Sequence, residues 1–283
     1  MTVQEKQLKN PMTIPFISGV SEIADSYDAF IIDIWGVVHN GVNLNVGAKD
    51  CLEQMAHAGK DVVFLSNTPL RSIELERDLI GMGLGASYCE NKIMTAGEST
   101  WGDLHRWKDG KVFLMGHRYE GLIDGLTLVD NVAEADCLLA TIGGSYRDGD
   151  APFYESMEQA LPLKIPFICA NPDLEVQIGD EIALCAGHYA LWYEERGGEV
   201  HWHGKPYQPV YDRALDILGN IDKSRICAIG DSLRTDMTGA KNFGIDGLWN
   251  LDGINRDLNS EKAQTLLAEK GLSPAAMIKG FSW

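Results

Sequence analysis

The sequence predicts an α/β fold, a doubly wound parallel sheet with a second α/β unit inserted into it. Three observations carry this. Short continuous apolar runs recur along the chain, each closing on a polar group. Helical patterns follow these runs. One interval between them is far too long to be a single crossover.

Residues 1–15 are polar and lack the apolar centre of a secretory signal, which predicts a flexible lead-in that settles on the core near Pro15-Phe16-Ile17. The first run, Ala29-Phe30-Ile31-Ile32, ends on Asp33 and is followed by Ile34-Trp35-Gly36-Val37-Val38. A carboxylate ending a buried strand can be presented at the carboxyl edge of a parallel sheet, where open α/β folds place their ligands. There it can attack phosphorus or carbon, or hold a hard cation. Over residues 47–58, Ala48, Leu52, Met55 and Ala56 fall near helical spacing, and Gly59 stops the helix. The second run, Asp61-Val62-Val63-Phe64-Leu65, ends in Ser66-Asn67-Thr68-Pro69, and a helical pattern covers 73–84. Arg71 reads as a solvated arginine at that helix start. The third run, Glu199-Val200-His201-Trp202-His203-Gly204, ends at Lys205-Pro206, and a helix over 210–218 is entered through Pro209. The fourth, Arg225-Ile226-Cys227-Ala228-Ile229-Gly230, ends on Asp231, with Asp236 five positions on.

Between the serine and lysine motifs lie further strand-like and helical segments at 111–116, 135–140, 154–160 and 166–169. They predict an inserted α/β domain over 87–187, flanked by Rossmann-like core segments 1–86 and 188–283. Residues 143–150 look like a calcium or phosphate loop but lack the full spacing of either, and read as a surface turn. Trp101, Arg106, Trp107 and Lys108 read as a helix packed on its neighbours, and His201-x-His203 as one face of a strand.

With Asp33, Ser66, Lys205 and Asp231 at neighbouring strand ends, their roles separate by chemistry. Asp33 and Asp231 are hard oxygen ligands that suit magnesium, and would repel each other without a cation or proton between them. Ser66 and the backbone N–H groups around Asn67 can donate to a phosphoryl oxygen, with Lys205 as a point positive charge beside it. Such a site suits an anionic substrate and electrostatic stabilisation of phosphoryl transfer.

This ordered set resembles the haloacid dehalogenase superfamily over nearly the whole chain. It is closest in pattern to subclass IIA, the hydrolases related to 4-nitrophenylphosphatase and pyridoxal phosphatase. Three segments carry the detail: Phe64-Leu65-Ser66-Asn67-Thr68, Phe167-Ile168-Cys169-Ala170-Asn171-Pro172-Asp173, and Gly230-Asp231-Ser232 through Thr235-Asp236-Met237-Thr238-Gly239-Ala240. The resemblance implies that Asp33 is a nucleophile forming an aspartyl-phosphate. It implies that Asp33, Asp231 and Asp236, with the backbone carbonyl of Trp35, hold or support Mg2+. Ser66, Asn67 and Lys205 would bind the transferring phosphoryl group, and the insert would be a cap whose Asn171 and Asp173 reach over the substrate. The implied activity is magnesium-dependent hydrolysis of a small phosphate monoester.

One position departs from the family. Its phosphatases carry a second aspartate two residues after the nucleophile as general acid and base, a role worth on the order of 10² to 10⁴ in rate. Here that residue is Trp35. Four explanations stand: a substrate with a good leaving group, another proton carrier (His39 or, from the cap, Asp173), a protein that binds a phosphate ligand without turning it over, or dehalogenation at carbon. Dehalogenases of this kind work without metal, which would leave Asp231 and Asp236 unexplained. His39 otherwise reads as a loop histidine.

A net charge of −17 and a pI near 4.7 argue against nucleic-acid or anionic-membrane partners. No run approaches the roughly 20 apolar residues of a membrane span. The expected partner is a small phosphorylated metabolite, with a homodimer through the cap left open. Cys51, Cys137, Cys169 and Cys227 sit in apolar patterns, and no Cys-x-x-Cys pair occurs. All six cysteines therefore read as free thiols of a cytoplasmic protein.

Overall fold

Ala29–Asp33 is buried at every position, as a strand covered on both faces must be. It lies inside a seven-stranded parallel sheet in the computed structural model of the chain, which describes residues 13–143, 151–178, 181–252 and 255–283. In chain order the strands are β1 (Phe16–Ile17), β2 (Ala29–Asp33), β3 (Asp61–Ser66), β4 (Ile93–Thr95), β5 (Lys111–Gly116), β6 (Thr127–Val129), β7 (Cys137–Thr141) and β8 (Phe167–Cys169). They continue with β9 (Glu175–Ile178), β10 (Glu181–Leu184), β11 (Val200–Trp202), β12 (Ile226–Gly230), β13 (Asp246–Asn250) and β14 (Ala276–Ile278). The large sheet runs β1-β14-β13-β12-β2-β3-β4, and a second, five-stranded parallel sheet runs β11-β8-β7-β5-β6. Strands β9 and β10 form a separate antiparallel hairpin.

The two-residue period of β2 divides the core. Phe30 and Ile32 pack with Phe64 against the helices Ala48–His57 and Ser72–Gly81, through Cys51, Leu52, Met55, Leu75 and Leu79. Ala29 and Ile31 face the other way, with Val63 and Leu65, against Gln208–Ile217 and Thr238–Phe243 through Val210, Tyr211, Ala214 and Phe243. Burial of each large apolar side chain stabilises the fold by roughly 1.5–3 kcal/mol, which is what fixes Asp33 at the sheet edge. The doubly wound core is therefore present with helices on both faces, and an α/β insert built on the second sheet accompanies it.

Sheet membership moves both limits of the insert away from 87–187. Strand β4 pairs with β3 in the large sheet, through Phe64 with Ile93 and Ser66 with Thr95. Strand β11 pairs with β8 in the second sheet, Val200 opposite Phe167. The run before Lys205 is thus not a strand of the large sheet, contrary to the expectation above. Its Val200, His201 and Trp202 are only half-buried, as suits an edge strand rather than a central one.

Arg71 also differs from the solvated side chain expected. Its Nε lies 2.8 Å from Glu98 Oε2, its guanidinium donates to the Gly121 carbonyl at 3.1 Å, and it stacks 3.8 Å over Trp101. All six cysteines are free and buried. Residues 1–12 and most of the 143–150 turn lie outside the described residues; Gly143 bridges to Cys185. Among the described residues no helix is long and apolar enough to cross a membrane.

Candidate active site

Register brings the strand tips together. Strand β2 lies between β12 and β3, with Ile32 opposite Ile229 and Asp33 opposite Leu65. Ser66 and Asp231 therefore fall on either side of Asp33 at the carboxyl edge. A π-helical turn, Leu233–Met237, follows, with Ser232 Oγ accepting from the Thr235 N–H at 3.3 Å. It returns Asp236 to the same edge, so that oxygens of Asp33, Asp231 and Asp236 all lie within 4.8 Å of one another. All three residues are buried. Three converging carboxylates are a donor set for a hard divalent cation, and without one they repel.

Lys205 answers part of that charge. Its Nζ donates to Asp33 Oδ1 and sits 2.7 Å from Asp236 Oδ1. Asp236 Oδ2 accepts from the Ser232 N–H at 3.0 Å, so both of its oxygens are engaged. Burial works against the charge on Lys205, but Asp236 and Asp33 outweigh it and hold the ammonium above its ordinary range. Burial, with Asp236 and Asp231 adding to it, pushes the Asp33 carboxyl well above the usual carboxylate range despite the lysine.

Because Lys205 arrives from the insert's edge strand, something must hold it to the core. Asn67 does this: its Oδ1 accepts the Lys205 N–H at 2.7 Å, and its Nδ2 donates to the Lys205 carbonyl at 3.2 Å. The same amide donates to Asp173 Oδ1 at 2.9 Å. With both amide hydrogens committed, the Asn67 side chain has none left for a phosphoryl oxygen. Gly204 makes the approach possible, since a Cβ there would sit 2.6 Å from Asn67 Oδ1. Asn67→Ala is expected to cost about 1–3 kcal/mol, because it strips partners from buried backbone groups. Urea unfolding checks this, and an unchanged midpoint would refute the holding role.

The turn after Asp33 is equally constrained. Gly36 has φ +84°, and a Cβ there would fall 2.3 Å from Asp231 Oδ2. Asn45 Nδ2 donates to the carbonyls of Gly36 (3.2 Å) and Val37 (3.0 Å). The Trp35 indole is 50% exposed and meets the His39 ring edge-on at 5.4 Å. His39 is buried, its Nδ1 accepts the Gly41 N–H at 2.8 Å, and burial pushes its pKa down.

Asn171 is buried, and its Oδ1 accepts the Asp173 N–H at 3.1 Å. Sequence reasoning passed over two contributors. Arg234, an unspecified position of the Gly-Asp-Ser-x-x-x-Asp motif, donates to the Pro172 carbonyl at 2.9 Å and ties the core to that loop. Asn45 sits in a turn-rich segment with no pattern to single it out.

Known proteins share this family and fold. Residues 30–129 match the family model of haloacid dehalogenase-like hydrolases, and residues 202–273 match a second, HAD-hydrolase-like model. The chain belongs to the haloacid dehalogenase-like hydrolases. A hydrolase of this family from Brucella suis superposes with a TM-score of 0.78 at 28% identity, covering 93% of this chain and 98% of its own. The p-nitrophenyl phosphatase from Archaeoglobus fulgidus gives 0.72 at 26% identity, covering 90% and 97%. The sugar-phosphatase AraL of Bacillus subtilis is 26% identical over 264 residues, 86% of this chain and 93% of that protein. This haloacid dehalogenase-like hydrolase thus shares its two-sheet architecture with phosphatases of the 4-nitrophenylphosphatase type along almost its full length.

Proposed function

We propose that the chain is a magnesium-dependent phosphatase of small phosphate monoesters, working through an aspartyl-phosphate on Asp33. The supporting observation is the convergence of Asp33, Asp231, Asp236 and Lys205 at one buried sheet edge beside Ser66. Asp33 Oδ attacks phosphorus in line with the departing oxygen. Ser66 Oγ and the N–H groups after it donate to the phosphoryl oxygens, and the Lys205 ammonium neutralises their growing charge. Asp33 and Asp231, with the Trp35 carbonyl, would hold the cation, while Asp236 holds Lys205. Bound there, magnesium would screen the nucleophile from the phosphoryl charge and relieve the repulsion among the carboxylates. Asn171 and Asp173 reach the substrate from the insert, which acts as a cap and selects the leaving group. The naming of AraL as a sugar phosphatase favours a sugar phosphate as the small phosphorylated metabolite.

Carbon–halogen hydrolysis by Asp33 would leave the carboxylate cluster without a use. A second reading, a phosphate-ligand binding protein with little turnover, is favoured by one observation: Trp35 stands where the family carries its proton donor. Phosphate release from a panel of sugar, polyol and aryl phosphates, with magnesium and with EDTA, separates the two. Release that requires magnesium is expected. Saturable binding of phosphate with no release from any ester would establish the second reading instead.

A further inference from the structure

We propose that Asp173, carried by the insert, is the acid and base that the core lacks at position 35. The assignment rests on the phosphatase reading above and names the group that completes it. The need is explicit, since an indole cannot shuttle protons. Asp236, Asp231, Lys205 and His39 are each unsuited. Asp236 has one oxygen on Lys205 and the other on the Ser232 N–H. Asp231 is needed as an anion beside the cation. Lys205 is held in its charged form by two carboxylates. His39 is kept neutral by burial and spends Nδ1 on the Gly41 N–H, leaving only a weakly acidic Nε2–H.

Asp173 has the required setting. Its Oδ1 is anchored by the Asn67 amide, the same group that holds Lys205 against the nucleophile, so the carboxyl is tied to the phosphoryl site. Its backbone is locked as well. The Asp173 N–H donates to Asn171 Oδ1, its carbonyl accepts from the Gly187 N–H at 3.1 Å, and Arg234 holds the preceding carbonyl. Among the described residues, no side chain hydrogen-bonds Oδ2, so that oxygen can carry the proton. Burial pushes the Asp173 carboxyl above its ordinary value and Asp236 adds to this, against the pull of the Asn67 amide, Lys205 and Arg234; the thiols of Cys169 and Cys185 also lie near it. A carboxyl held up in this way keeps its proton closer to neutral pH, as a general acid requires.

The steps balance. Asp33 Oδ bonds to phosphorus as the bond from phosphorus to the leaving oxygen breaks, and the Asp173 proton passes to that oxygen, giving the alcohol and an Asp173 carboxylate. The carboxylate then takes a proton from water as the water oxygen attacks phosphorus. The bond to Asp33 breaks, phosphate leaves, and Asp173 is protonated again.

Asp173→Asn tests this without disturbing the anchor, because an asparagine oxygen still accepts from Asn67. First-turnover rates are compared for 4-nitrophenyl phosphate, whose phenolate departs unprotonated, and glycerol phosphate, whose alkoxide does not. The variant should lose on the order of 10²- to 10⁴-fold on glycerol phosphate. It should keep a fast burst of one nitrophenolate per site, followed by slow turnover as the aspartyl-phosphate waits for its base. Adding Trp35→Asp to Asp173→Asn should restore the alkyl ester. Equal losses on both esters, or no loss on either, would overturn the assignment while leaving the phosphatase reading intact. Wild-type protein that releases phosphate from neither these esters nor any of the sugar phosphates in the panel would sink both, and the retained burst shows that the variant has folded.

Discussion

Asp33→Asn should abolish ester turnover, by on the order of 10⁶-fold if it follows other enzymes that lose their nucleophile. An amide cannot form the acyl-phosphate, and neither neighbouring carboxylate can take over, since Asp231 and Asp236 are placed to hold charge. Wild-type enzyme acid-quenched during turnover should carry a detectable phosphoryl group, and the variant none. The same substitution should not weaken the metal-free fold. Asp33 is buried with Asp231 and Asp236 beside it, which keeps its carboxyl well above the usual range, and an asparagine oxygen still accepts from Lys205. Relief of that repulsion should raise metal-free stability at neutral pH. Functional sites commonly trade stability in this way. Urea unfolding in EDTA measures it, and a clear loss would mean that the Asp33 carboxylate is structural.

The large sheet was legible because burial on both faces writes itself as continuous apolar runs. Asp33, Ser66 and Asp231 could be placed at its edge from the residues where those runs stop. The helices were legible to within about three residues, 47–58 against Ala48–His57 and 210–218 against Gln208–Ile217. What misled was the run before Lys205. An edge strand of a second parallel sheet has much the same local composition as a core strand, and only the pairing of Val200 with Phe167 tells them apart. The role of Asn67 was illegible for a similar reason. Its partners, Lys205 and Asp173, lie 138 and 106 residues away, and no local pattern records a clasp of that length. Trp35 was the reverse case, since the sequence exposed the missing carboxylate, but the position of Asp173 came only with the folded chain.

Lys205→Met should destabilise the metal-free protein by roughly 3–5 kcal/mol, the range seen when one partner of a buried ion pair is removed. Lys205 is buried and bridges Asp33 and Asp236 through ion-pair contacts. With every group ionised, the wild-type cluster carries −2 and the variant −3. The variant should therefore gain more from added magnesium than wild type does. A ligand at 100 times its Kd stabilises a fold by about 2.7 kcal/mol, and a more negative site lowers Kd. Activity should stay lost even at saturating magnesium, because the cation replaces the charge near Asp33 but not the ammonium that meets the transferring group. Denaturant unfolding in EDTA and across a magnesium titration separates these effects. Equal metal-free midpoints for the two proteins would mean that the carboxylates are already neutral without the lysine, and that the charge argument for the site is wrong.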